Sequence, residues 1–335
     1  MSVRFAPSPT GRFHVGNLRT AWISERLARL AGLPWVVRFE DIDTLRVVAG
    51  ARETQLADLA ALGLVPDEIV IQSARHARHL ALLRQAAATG QVYPCACSRK
   101  DVLDALEASA SAPHGPSPVY HGHCRPAAPG GPAVAPPRAS PEPGKLPILT
   151  GARPSFAWRF RSADPSGARD FIVARTAADA ALARSSSLAP ESTAESELDF
   201  MPAYPWACAI DDLDGGYQLL VRASDLARVL WQQRDIQAWM LAAGQAKASA
   251  ARPAVFHCSI VTTDSGARLE KRTRGVTLPE LGERGYPPER LAQLFAASFA
   301  PPVLAELLGS EAVGGEVSEQ ITLASLKLAP FSGDD

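Results

Sequence analysis

No run of apolar residues in the chain is long enough to cross a bilayer, and the first residues lack the basic-then-apolar layout of a secretory leader. Both absences lead us to expect a cytoplasmic protein with no membrane partner. Charge of one sign is also missing: 34 Lys and Arg stand against 35 Asp and Glu, a net charge of −1. This excludes a whole-chain signature of nucleic-acid binding, so any contact with RNA has to rest on local patches. Cysteine is scarce, five in 335 residues, yet three of the five fall between Cys95 and Cys124. Such clustering argues for a metal site and against a disulfide framework, while Cys208 and Cys258 read as buried thiols. There is no internal repeat, and no Ser/His/Asp or Cys/His arrangement suggests a covalent nucleophile. The length suffices for a full catalytic core with small appendages.

What is present is an alternation of strands and helices. Val3 and Phe5 predict a strand. Leu18, Trp22, Ile23, Leu27 and Leu30 predict a helix that ends at Gly32-Leu33-Pro34. Trp35–Phe39 (WVVRF) suits a buried parallel strand and is followed by Glu40-Asp41-Ile42-Asp43. A helix over 50–62, a strand near 68–72 and a helix over 76–89 continue the pattern. It is that of an α/β, doubly wound parallel sheet with ligands at the C-terminal ends of its strands. The rhythm breaks over 93–149, with a short helix at 99–108 and a Pro/Gly/Ala-rich loop at 126–147. The sheet pattern returns at 156–161 and 170–175, and 176–197 reads as an exposed insertion. Trp206–Ile210 and Tyr217–Val221 predict a hairpin around Asp214-Gly215-Gly216. A helix is predicted over 225–243, and one basic loop with short helices after 244.

Two clusters carry chemistry. Val3 to Asn17 read VRFAPSPTGRFHVGN, a strand, a Gly-containing turn and a helix start. Unpaired first-turn N–H groups and the helix dipole make such a start a phosphate cradle. His14 and Asn17 reach phosphate oxygens there, and Gly16 lets the backbone come close. The second cluster is Cys95-Ala96-Cys97 with Tyr120-His121-Gly122-His123-Cys124. Three thiolates and one N or O ligand suit a tetrahedral, structural Zn²⁺, and ligand preference alone favours His121 or His123 as the fourth.

The FAPSPTGRFHVGN run resembles the HIGH signature of class I aminoacyl-tRNA synthetases, in the form found in their glutamyl/glutaminyl branch. The resemblance implies a Rossmann-like catalytic domain that binds ATP through His14, Gly16, Asn17 and Lys271, with His14 and Lys271 catalytic. Lys271 lies in Gly266-Ala267-Arg268-Leu269-Glu270-Lys271-Arg272, which is similar to the KMSKS loop, with Arg268 for its first lysine and Glu270 departing from it. The resemblance also implies that L-glutamate is held by Arg4, Ser8, Glu40, Tyr204 and Arg222. Arg4 and Arg222 would face the side-chain carboxylate and Glu40 the ammonium group. Arg222 stands in VRASDL, where Ala223 replaces the family's Gly. Tyr204 lies eighteen residues before Arg222, with Tyr217 as the fallback. In the metal cluster the family pattern, C-x-C then Y-x₃-C, selects Cys95, Cys97, Tyr120 and Cys124.

On this reading residues 1–93 form the first half of the catalytic domain and 94–149 a zinc-binding insertion. Residues 150–243 form the second half, with an insertion near 176–197, and 244–335 a small, mostly helical stem region carrying the KMSKS-like loop. About sixty residues follow that loop, too few for the helical domain with which discriminating glutamyl-tRNA synthetases read the anticodon. The resemblance therefore points to the branch's short paralogues, which place glutamate on the queuosine base at the wobble position of tRNA(Asp). The implied reaction is tRNA-independent activation of glutamate with ATP and Mg²⁺, then transfer to queuosine-containing tRNA(Asp), by a monomer. Two other classes stay open: a short glutamyl-tRNA synthetase that charges a tRNA 3′ end, and a non-catalytic binding module that keeps the fold.

Overall fold

In the computed structural model the described residues are 1–95, 97, 120, 122, 124–126, 157–176, 200–247, 250–267, 269, 276–309, 311–316, 318 and 320–328. They contain strands β1 (Val3–Phe5), β2 (Trp35–Phe39), β3 (Glu68–Ile71), β4 (Val92–Cys95), β5 (Ala157–Phe160), β6 (Phe171–Thr176), β7 (Phe200–Pro202), β8 (Leu219–Ala223), β9 (Ala254–Cys258), β10 (Ile260–Thr262), β11 (Val313–Gly315) and β12 (Gln320–Thr322). The helices are α1 (Val15–Leu30), α2 (Ala51–Ala61), α3 (His76–Ala88), α4 (Tyr204–Asp214), α5 (Leu230–Ala242), α6 (Leu278–Glu283), α7 (Pro288–Ala297) and α8 (Leu304–Leu307). Two compact units emerge: 1–74 with 211–237 and 246–335, and 75–210 with 238–245.

The first unit is built on a six-stranded sheet of order β3-β2-β1-β8-β9-β11, with every neighbouring pair parallel. The chain winds outward from β1 through β2 and β3, then returns to the other side of β1 and winds outward through β8, β9 and β11. The reversal between β1 and β8 is the switch point of a doubly wound sheet, the place where a crevice opens beyond the strand ends. Alternation along the strands separates two faces. Val3, Phe5, Val37, Phe39, Leu219, Val221, Phe256 and Cys258 share one apolar core with Leu18, Ala21 and Leu27 of α1. The other face carries Arg4, paired in register with Val36 and Leu220, and Arg222, paired with His257. Arg38 lies two residues beyond Val36 and so joins that face. One side of the sheet is thus greasy throughout, and the other turns cationic toward its C-terminal edge.

The second unit holds an antiparallel sheet of order β4-β5-β6-β7. Leu80, Leu82, Leu83, Ala86 and Ala87 of α3 are buried. Phe160 stacks on Phe171 with ring centroids 5.3 Å apart, and Trp206 on Trp239 at 5.7 Å.

Four sequence expectations need correction. The segment 206–221 is not a hairpin: Trp206 to Asp214 belong to helix α4, and β8 runs parallel to β1 and β9. Trp206, Ala209, Ile210 and Leu213 recur at helical spacing and are buried, and Gly215-Gly216 serves as a helix stop, a signal shared with hairpin turns. The helix expected from 225 begins as a 3₁₀ turn over Ser224–Val229 and becomes α-helical at Leu230. The segments near 156–161 and 170–175 are strands, but of the antiparallel sheet. The region after 244 is not only loop and helices, because β9 and β11 extend the main sheet. The helix expected at 99–108, most of the 126–147 loop and 177–197 lie outside the described residues.

Candidate functional site

The loop from β1 to α1 is held by helix α2. Gln55 Nε2 donates to the carbonyls of Ser8 (3.2 Å) and Gly11 (2.7 Å), and Asp58 accepts from Arg12 Nη1 (2.9 Å). Gln55 and Asp58 lie three residues apart, on one face of the helix, and both are buried. Gly11 sits at φ +126°, a backbone state that side chains resist. The Glu40 N–H donates to the Pro7 carbonyl (2.9 Å), which ties the ends of β1 and β2 together beside Ser8.

The start of α1 differs from a bare phosphate cradle. His14 is its N-cap, and Nδ1 accepts from the N–H groups of Gly16 (3.1 Å) and Asn17 (3.3 Å). Asn17 Oδ1 accepts the His14 N–H in return (3.3 Å). Val15 N–H donates to Val276 O (2.9 Å) and Leu18 N–H to His14 O (3.1 Å). All four first-turn N–H groups are thereby satisfied within the chain. An anion here meets side chains, not backbone: with Nδ1 accepting, a neutral His14 carries its proton on Nε2 as a donor. Gly16 is small for a local reason too, since a Cβ would stand 2.9 Å from His14 Cε1 and 3.4 Å from Val261 Cβ. Arg268, Glu270, Lys271 and Arg272 lie outside the described residues, but the segment's ends are fixed. Leu269 is buried in the core, Val276 is bonded to Val15, and Thr277 bridges to His14.

On the cationic face a carboxylate organises two arginines. Asp212 of α4 accepts from Arg4 Nε (3.1 Å) and Nη2 (2.6 Å) and from Arg38 Nη1 (2.6 Å). Arg38 Nη2 donates to Glu40 Oε1 (3.0 Å). Burial opposes ionisation of Asp212, yet the charges of Arg38 and Arg4 prevail and hold its carboxyl below the ordinary range. Arg4, which the family resemblance gives to glutamate, is engaged by Asp212. Arg222 is different. It is 3% exposed, with Nε donating to His257 Nε2 (3.3 Å) and Nη1 to Gln233 Oε1 (2.6 Å), and no hydrogen-bond partner at Nη2 among the described residues. Among the described residues no carboxylate pairs with it. A buried guanidinium without a counter-ion is costly unless an anion completes it. Tyr204 opens α4 in the second unit, half-buried; Tyr217, in the first, is buried with the Arg38 guanidinium 5.9 Å from its ring centroid.

In the second unit the Sγ atoms of Cys95, Cys97 and Cys124 lie within 4.8 Å of one another, with 3.6 Å between Cys97 and Cys124. Tetrahedral zinc at Zn–S of about 2.3 Å sets sulfurs roughly 3.8 Å apart, so the triad fits a metal. Tyr120 Oη is 3.8 Å from Cys95 Sγ and accepts the Cys124 N–H (2.7 Å). His121 and His123 lie outside the described residues. Arg159, buried, donates from Nε to Cys95 Sγ (3.2 Å) and stacks 3.6 Å over the Tyr120 ring. The hydrogen bond with Cys124 first, and the Arg159 charge against burial, lower the Cys95 thiol to about 4. Burial pushes Tyr120 up.

No motif flags Arg38, Asp212, Gln233, His257 or Arg159. The one signal was an arginine inside an apolar strand run, WVVRF and AWRF, which demands a partner without naming it.

Comparison with known proteins agrees with this architecture. Residues 1–128 match the family described as tRNA synthetases class I (E and Q), catalytic domain. The chain is 33% identical over 306 residues to the glutamyl-Q tRNA(Asp) synthetase of Nocardia farcinica, covering 89% of this chain and 85% of that one. It is 32% identical over 337 residues to the enzyme of the same name from Deinococcus radiodurans, covering 99% and 96%. The crystal structure of glutamate-tRNA synthetase from Elizabethkingia anophelis superposes with a TM-score of 0.60 at 21% identity, over 98% of this chain and 69% of that one, and so shares its fold.

The N-cap geometry makes one substitution behave against habit. Gly→Ala inside a helix ordinarily gains about 1 kcal/mol. Gly16→Ala should instead lower stability, because its methyl displaces the His14 ring and forfeits a cap of about 1 kcal/mol. Urea unfolding midpoints decide the sign.

Proposed function

Since the chain belongs to the glutamyl-Q tRNA(Asp) synthetases, ligases of the class I tRNA synthetase fold, we propose that it activates L-glutamate with ATP without tRNA and passes the glutamyl group to queuosine at the wobble position of tRNA(Asp). The observation that carries the first step is Arg222: a buried guanidinium at the switch-point edge of the sheet that no carboxylate among the described residues pairs. Glutamate enters with its side-chain carboxylate on Arg222, its ammonium group toward Glu40 and its backbone beside Ser8. Arg4 serves as frame, through Asp212. Tyr204 keeps its assignment to glutamate from the family resemblance alone.

The α-carboxylate of glutamate is already ionised at neutral pH, so attack on the α-phosphorus needs no general base. A bond forms between a carboxylate oxygen and the α-phosphorus, and the bond from that phosphorus to the bridging oxygen of pyrophosphate breaks. What the chain supplies is in-line positioning and charge neutralisation. His14 donates from Nε2, Asn17 from its amide, and Lys271 faces the departing pyrophosphate. Mg²⁺ bound with ATP would supply further neutralisation of phosphate charge. In the second step a hydroxyl of the queuosine cyclopentene-diol attacks the activated carbonyl carbon, and AMP leaves. Arg268, Lys271, Arg272 and Arg274 hold flanking phosphates of the anticodon loop, whose bases are read by stacking and edge contacts. The cysteine triad with Tyr120 holds one structural zinc. Three thiolates and a phenolate leave that site anionic, and Arg159 offsets the charge.

Glutamate-dependent ATP–pyrophosphate exchange without tRNA is the direct test of activation. Arg222→Ala should weaken glutamate use by about 2–5 kcal/mol, roughly thirty-fold to several-thousand-fold. Lys271→Ala should lower turnover with little change in glutamate KM, because its partner develops only as pyrophosphate departs. Identical kinetic signatures for the two variants would contradict the assigned roles.

The acceptor is tested by nuclease mapping of tRNA carrying labelled glutamate. Label should sit on the wobble nucleotide of queuosine-containing tRNA(Asp) and be absent from tRNA(Asp) lacking queuosine. Label at the 3′ terminus of tRNA(Glu) would make the chain a short glutamyl-tRNA synthetase.

Metal analysis should find about one zinc per chain, lost in Cys95→Ser. Retention in Tyr120→Phe with release in His121→Ala or His123→Ala would move the fourth ligand to a histidine.

A further inference from the structure

Arg222 has a neighbour whose orientation is forced. Gln233, in the first turns of α5, is 2% exposed, and its side chain lies 2.6 Å from Arg222 Nη1. A guanidinium has only donors, so the Gln233 atom facing it must be the carbonyl oxygen Oε1, and the amide cannot flip without losing that bond. Nε2 therefore points elsewhere as a donor, and it has no hydrogen-bond partner among the described residues. The other end of Arg222 is also fixed. Nε donates to His257 Nε2, and burial, then the Arg222 charge, lowers the His257 imidazole to about 4, so it stays neutral and accepting at neutral pH. Among the described residues, two buried groups of this cluster have no partner: Arg222 Nη2 and Gln233 Nε2. Both are donors, separated only by the span of one guanidinium, one hydrogen bond and one amide.

We infer that Gln233 is a specificity-determining residue: with Arg222 it forms a two-donor slot that accepts a carboxylate and rejects a carboxamide. This rests on the reading that Arg222 receives the glutamate side chain. A carboxylate offers an acceptor oxygen to each donor. The side chain of glutamine offers one oxygen and turns its NH₂ against the other donor, leaving N–H groups face to face in a buried site. Arg222 alone would attract a carboxylate by charge, yet a single guanidinium N–H is satisfied by an amide oxygen as well. The second donor makes the discrimination geometric, and His257 keeps Arg222 from turning away from it.

The test is the ratio of kcat/KM for glutamate to that for glutamine in ATP–pyrophosphate exchange, measured on the full chain. In Gln233→Met one donor is lost. The ratio should fall roughly tenfold to a hundredfold, the scale of one hydrogen bond to a charged group, with the KM for ATP unchanged. In Gln233→Glu the donor becomes an acceptor. Glutamate should be disfavoured further, and the kcat/KM for glutamine should rise above the wild-type value, a gain that mere structural damage would not produce. If Gln233→Glu fails to fold, as read by thermal unfolding, Gln233→Met carries the test. A ratio unchanged from a wild type that does activate glutamate overturns the role of Gln233 alone. Absence of glutamate-dependent exchange in the wild type overturns the underlying reading, and this inference with it.

Discussion

The carboxylate of Asp212 is the contact around which the catalytic sheet closes. Arg4 and Arg38 lie on neighbouring strands, fully inside the protein, where two guanidinium groups would repel each other and lack water. Asp212 accepts from both, and Arg38 extends the network to Glu40 at the end of β2. The last turn of α4, which carries Asp212, is thereby joined to the face of β1 and β2. The edge of the sheet that faces the crevice has its arginines held in fixed orientations. Rigidity of this kind is what a site needs when it works by positioning rather than by a nucleophile.

The same network decides where charge remains. Two arginines and two carboxylates balance within it, so Arg4 and Arg38 add little net field. Arg222, across the switch point on β8, is left as the uncompensated cation of that face among the described residues. The separation into a neutral frame and one open guanidinium gives a zwitterion with an extra carboxylate a defined polarity in the site. The glycine at position 16 plays a comparable structural part at the other pole: it makes room for the His14 ring that satisfies the helix start, so phosphate chemistry there falls to side chains.

Much of this was legible in the chain and some was not, for identifiable reasons. β1 through α3 follow from periodicity because each element buries one side against near neighbours in sequence. Trp206–Ile210 misled because a short apolar run followed by Gly-Gly satisfies both a hairpin and a helix stop. β9 was hidden because Ala254–Cys258 is a strand only by virtue of its place between β8 and β11. In the candidate site, His14, Glu40 and Arg222 stand in ordered sequence signatures that single them out. Gln233 and His257 were not, because their relation to Arg222 arises from strand register and from the packing of α5. Arg38 and Arg159 sat in apolar strand runs where an ion needs a partner, yet the partners, Asp212 and the Cys95–Tyr120 pair, are far away in sequence.

That distance has a consequence for biosynthesis. Arg38 and Asp212 are 174 positions apart, and translation proceeds at roughly 5–20 residues per second. Ribosomes therefore release β1 and β2 roughly ten to thirty-five seconds before the carboxylate shared by Arg4 and Arg38 exists. During that interval the nascent N-terminal half cannot close its charged face without stranding the Arg4 guanidinium away from water and leaving Arg38 with Glu40 alone. Completion of the catalytic sheet must wait for the second half of the chain, which carries β8, β9 and β11. A nascent intermediate of this protein should accordingly present an open, basic sheet face, and chaperone dependence or ribosome stalling would be felt most before residue 212 clears the exit tunnel.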